Sequence, residues 1–182
     1  MSARSILRDA ARVSRTGTRR IVMLPIPNPL HPAIVHFPIA LAALLPALAF
    51  AALVAIRAGW VPARTWVAVV VLQFALVGFA WFAMETGEDQ EEKVEKVVAE
   101  RHIEEHEEAA ERFLYIAIAA ALVSAGGLLQ GGRGQAARAA TLVAGLAVLA
   151  ASVAVGHSGG ELVYKHGAAS AYTEPATISP SE

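Results

Sequence analysis

The chain has 182 residues, of which 55% are hydrophobic and 17% charged, with six histidines and no cysteine. An average soluble domain carries about 25% charged residues, so a disordered chain is excluded and a soluble globule disfavoured; the missing thiols exclude disulfides, thiolate metal sites, cysteine-held iron–sulfur clusters and covalently attached haem. The net charge of −1 conceals a segregation: residues 1–84 carry eight Arg and one acid, residues 85–112 twelve acids and four bases, and residues 113–182 three of each.

In chain order, residues 1–30 read as a basic tail and a Pro-rich lead-in. Arg4, Arg8, Arg12, Arg15 and Arg19 recur at steps of four and three, a helical stripe suited to anionic lipid or an acidic partner, or simply a solvated tail. No apolar core precedes Ile21, unlike a secretory signal. Pro25, Pro27, Pro29 and Pro32 keep the lead-in extended.

Four runs without Asp, Glu, Lys or Arg follow: Pro32–Ile56, Thr65–Met84, Phe113–Gly132 and Ala139–Gly160. Each matches the roughly 20 residues that a helix needs to cross a bilayer core of about 30 Å. They predict an all-α, integral membrane four-helix bundle over residues 31–167, followed by a C-terminal tail, residues 168–182. Trp60, Trp66 and Trp81 flank the second run as an interfacial belt. Pro38 and Pro46 are expected to bend the first helix. Gly159 and Gly160 are expected to cap the last one. Its small residues, Ala140/Ala144 and Ala147/Ala151, are expected to place that helix at the bundle centre.

The connections Arg57–Arg64 and Arg133–Arg138 are short, so the runs pair as two antiparallel hairpins. The middle connection, residues 85–112, has neither Gly nor Pro from Gln90 to Arg112. It predicts one continuous helix that begins near a Thr86 N-cap and makes the third helix extend well beyond the membrane. Four crossings put all sixteen acids and all six histidines on one side, side A. The other, side B, carries only Arg57, Arg64, Arg133 and Arg138. Counting the arginines of the N-terminal tail favours side A in the cytoplasm, whereas counting those of the short connections favours side B there.

The histidines are the candidate chemistry. His36, His157 and Glu85 lie near the ends of three helices, and His106 lies about 10 Å further out on the fourth. At about 100° per residue His102 and His106 share an arc with Val98, Ala109 and Phe113, and Glu95 lies two turns earlier on the same line. Imidazoles clustered at a membrane edge are costly to leave unpartnered. The metal-ligating candidates are therefore His36, His102, His106, His157, Glu85 and Glu95, while His31 and His166 read as ordinary interfacial residues. Other chemistries fail on spacing. His102-Ile103-Glu104-Glu105-His106 lacks the H-E-x-x-H order of zinc proteases. No Glu stands three residues before either histidine, as a di-iron bundle needs. No G-x-S-x-G occurs, and no basic folded face offers itself to nucleic acid.

Two segments, His31-Pro32-x-x-Val35-His36-Phe37-Pro38-Ile39-Ala40-Leu41 and His157-x-Gly159-Gly160-Glu161-Leu162-Val163-Tyr164-x-His166-Gly167, resemble the bacterial four-helix membrane proteins catalogued as domain of unknown function 2231. The resemblance spans about residues 30–167. It implies a multi-pass protein of the bacterial inner membrane with the histidine face towards the periplasm. It also implies a redox neighbourhood, since some members are similar to modules fused with Rieske or cytochrome c domains. The expected function is electron transfer, alone or with the subunits of a membrane redox complex. It would use haem b held axially by histidines drawn from His36, His106 and His157, or a transition metal such as Zn, Cu or Fe. The alternatives are a cofactor-free accessory subunit of a membrane complex and, more weakly, a proton or solute pathway.

Overall fold

The computed structural model describes residues 29–173; the arginine stripe, most of the Pro-rich lead-in and the end of the C-terminal tail lie outside the described residues. Four helices run up and down: α1 (His31–Arg57), α2 (Ala63–Val94), α3 (Glu100–Gly126) and α4 (Gly131–Tyr164). All four are long and apolar enough to cross a membrane, so the all-α membrane bundle expected from the uncharged runs is the fold. α1 opens with one turn, His31–Ile34, and restarts after Val35 as the body His36–Arg57. Pro38 sits in the first turn of that body, where a missing N–H costs little. α2 opens with a 3-10 turn, Ala63–Trp66, before its α-helical length Val67–Val94.

The bundle is patterned for lipid rather than water. Its middle layer packs mostly small and medium side chains around Phe113, namely Ala42, Leu45, Leu76, Ala80, Ala117, Ala120 and Val148. The bulky Val71, Phe74, Leu122, Val143, Leu146 and Val153 point outwards, with Val143 71% exposed. Small residues let backbones approach, and bulky ones on the rim are solvated by acyl chains. A second layer at the side B end joins Ala49, Leu53, Trp66, Val69 and Val70. A third, outside the apolar runs on side A, joins Val98, Ile103, Leu162 and Ala168.

Four expectations about elements are corrected. The middle connection is not one helix from Gln90: α2 continues to Val94, residues 95–99 turn, and α3 starts at Glu100. Thr86 is no N-cap; its hydroxyl donates to Ala83 O of its own helix at 2.9 Å. The turn falls later because Val98 is buried in the third layer, which anchors the reversal outside the membrane. Gly159 and Gly160 do not end α4, which runs on to Tyr164; Gly167, with φ of 77°, takes the left-handed conformation just beyond. Nor is α4 central. α1 packs on α2 and α4, and α3 on the same two, so the helices form a four-cornered ring without close diagonal pairs. The buried line of α4 is Gly134, Arg138, Thr141, Gly145, Val148, Ser152 and Leu162. Pro46 of α1 packs onto Gly145. Ala140 and Ala147, from the small pairs expected inside, are exposed.

Candidate functional site

Two hairpins deliver one histidine each to the side A mouth. His31, the first residue of α1, lies across the far end of α2. Its Nδ1 is 2.8 Å from Ala83 O and 3.4 Å from Thr86 Oγ1. A carbonyl can only accept, so Nδ1 carries the proton and donates to Ala83. The ring rests on Gly87, where a Cβ would stand 3.3 Å from His31 Cε1 and Nδ1. On the second hairpin, His106 Nδ1 is 2.8 Å from Ser158 Oγ. That hydroxyl donates its only proton to Val155 O at 3.0 Å, so it accepts from His106 Nδ1–H. This ring rests on Gly159, where a Cβ would stand 3.1 Å from His106 Cε1.

The two hairpins thus use the same device: an imidazole docked on a hydroxyl–glycine step, Thr86-Gly87 or Ser158-Gly159, near the end of the following helix. Both rings are half-buried, and their centroids lie 6.4 Å apart with planes at 88°. Each Nδ1–H is tied to its own hairpin, which fixes the tautomer and turns each Nε2 into a lone-pair donor. Neither Nε2 takes a hydrogen bond among the described residues. An outer-shell acceptor on one nitrogen with a free lone pair on the other is how metal-ligating histidines are oriented.

The other candidates are placed elsewhere. His102 stacks on His166 with centroids 3.7 Å apart. Its Nε2 accepts from Arg101 Nε at 3.2 Å, and its Nδ1 faces Glu105 Oε2 at 3.4 Å, so both nitrogens are engaged. Desolvation, followed by the charges of His102 and Lys165, holds His166 below the ordinary histidine value of 6.5. His36 is exposed on the face of α1 away from the core. His157 is exposed as well, and its Nε2 lies 3.9 Å from Glu161 Oε2. Glu85 and Glu95 are exposed. His36 and His157 are therefore not brought to His106, and among the described residues no three His, Asp or Glu side chains form a group that could hold a metal ion.

Sequence reasoning passed over His31 together with Thr86, Gly87, Ser158 and Gly159. The signal available was the hydroxyl–glycine pair recurring near the ends of α2 and α4, 55 and 52 residues after its histidine. Comparison with known proteins finds no match among curated proteins and none among solved structures. A family model does match, over residues 27–171, with the description of a predicted membrane protein. The four membrane-length helices and the histidine-bearing segments at their side A ends lie within that match, and the chain belongs to this family, DUF2231.

Proposed function

We propose that His31 and His106 form a bis-imidazole centre at the side A mouth that ligates haem b iron or a transition-metal ion, and that the protein serves electron transfer in a bacterial inner membrane. The observation that carries this reading is the paired tautomer: both Nδ1–H groups are tied to their own hairpins, and both Nε2 lone pairs are left over. The donor chemistry fits: each hairpin offers one imidazole Nε2, and the two ring centroids lie 6.4 Å apart. Imidazole suits Zn, Cu and Fe, and paired imidazoles suit haem iron. An iron or copper centre would supply one-electron chemistry when bound; His31 and His106 hold and orient it, and Ala83 O and Ser158 fix the imidazoles. The resemblance to modules fused with Rieske and cytochrome c domains supports the redox assignment. The four arginines and absence of acids on side B support a periplasmic side A.

The absorption spectrum and elemental composition of the purified protein test the reading. A Soret band, or one metal ion per chain, is expected; either is lost in His31→Ala and in His106→Ala and kept in a His36→Ala/His157→Ala double variant. Wild-type protein with neither signal overturns the centre and leaves an accessory subunit without cofactor. Retention in both single variants with loss in the double variant reassigns it to His36 and His157.

A further inference from the structure

Arg138 lies seven residues into α4, roughly 10 Å from its first residue, at the side B end. Its side chain is buried to 6% exposure. Nε donates to Gly127 O at 2.7 Å, and the guanidinium carbon lies 5.9 Å from the ring centroid of Trp66. Trp66 is itself fully buried, and its indole N–H donates to Ser124 O at 3.0 Å. The indole presses so closely on Gly127 that a Cβ there would collide with it. Helix backbone and a locked aromatic ring therefore hold the guanidinium in place.

No anion of the described chain reaches it. α1 carries no acid. The nearest acids along α2, α3 and α4 are Glu85, Glu111 and Glu161, some 24–35 Å from Trp66, Gly127 and Arg138 by helical rise. Arg138 forms none of the ion pairs among the described residues. No buried side-chain nitrogen there lacks a partner, so the two Nη groups, which no hydrogen bond within the bundle takes up, open to the surface. A buried, always-charged fork without a carboxylate calls for an external oxyanion.

We propose that Arg138 is the base of a binding site for the phosphate of an anionic phospholipid headgroup. A planar fork with its two Nη groups free matches phosphate geometry. Lipid rather than free phosphate follows from the position. The site lies at the end of the membrane-crossing segments, and the residues that follow Gly127, Leu128 and Leu129, are exposed. The same end carries Trp60, 77% exposed, and the exposed Arg57, Arg64 and Arg133. Apolar and aromatic side chains meet acyl chains and the headgroup boundary, while the arginines add attraction for anionic lipid.

Native mass spectrometry of the purified full chain in neutral detergent, with phosphatidylglycerol and phosphatidylcholine in equal amounts, tests the site. Wild-type protein is expected to retain phosphatidylglycerol at least fivefold over phosphatidylcholine. Arg138→Gln should abolish the preference and Arg138→Lys should reduce it. Equal retention of both lipids by wild type overturns the proposal, whether or not the variants fold. So does an undiminished preference in a folded Arg138→Gln. If inorganic phosphate raises the melting temperature as much as phosphatidylglycerol does, the site takes a soluble anion and the lipid assignment falls.

Discussion

At the scale of single residues, the glycines beneath the two imidazoles separate packing from helix stability. A Cβ at position 159 would stand 3.1 Å from His106 Cε1, tighter than ordinary contact, so Gly159→Ala must shift the ring by a few tenths of an ångström. The same change improves intrinsic helix propensity by up to about 1 kcal/mol. The expected outcome is an unchanged or slightly raised melting temperature of the cofactor-free protein with reduced metal or haem content; calorimetry beside elemental analysis reads both. Ser158→Ala removes the acceptor that fixes His106 Nδ1–H. Loss of such an orienting group costs about 10–100-fold in metal affinity, measured by competition with a chelator. Thr86→Val should cost less, because Ala83 O still holds His31. Which histidine of the His31/His36 pair turns inward was not legible in the sequence. Five residues on a helix are about 140° apart, so only one can face the bundle, and it is His31 that does so.

Among elements, the four crossings were legible because charge is excluded from about 20 residues at a time, a constraint that leaves its mark on composition. The ends were not. Gly159 and Gly160 read as a helix end, whereas Gly159, like Gly87, lies inside a helix where an imidazole approaches the backbone. The turn at residues 95–99 has no Gly or Pro to announce it. It is set by burial of Val98 against Ile103, Leu162 and Ala168, a contact between segments far apart in the chain. Beside this cluster the 3-10 turn Ala168–Tyr172 folds back onto α2 through a 2.9 Å bond from Tyr172 Oη to Gln90. His166, just before it, stacks on His102 and has a lowered pKa. The undocked histidine, titrating near 6.5, binds more protons than the docked one as pH falls through that value. Docking is therefore fully supported above pH about 6.5 and weakens as pH drops through the depressed pKa. The hydrogen-exchange protection factors of residues 168–172, taken relative to the intrinsic rate at each pH, should fall on acidification, and His166→Phe, which keeps a stacking ring without a proton to gain, should flatten that dependence. Equal pH dependence in both proteins would sink the assignment.

Across the whole molecule, the carboxylates and imidazoles of the described residues lie at one end and an acid-free set of arginines at the other. This polarity gives the bundle two unlike ends whatever it binds. Lys and Arg near the membrane ends favour the cytoplasmic side, and side B, with four arginines on two short connections, satisfies that preference with no acid to offset it. The arginines of the N-terminal tail pull the other way, so orientation rests on which set dominates during insertion. The absence of native cysteine makes the question clean, because any introduced thiol is the only one. Glu100 and Gln130 are both exposed and lie at opposite ends of the bundle, at the start of α3 and beyond its end. With side A periplasmic, a membrane-impermeant maleimide added to intact spheroplasts should label Glu100→Cys at once and Gln130→Cys only after permeabilisation. The reverse pattern would put the histidine mouth in the cytoplasm. The bis-imidazole centre would survive that result, since its geometry is internal to the bundle, but its electron partners would then have to be cytoplasmic. The phosphate fork at Arg138 would in turn face the outer leaflet.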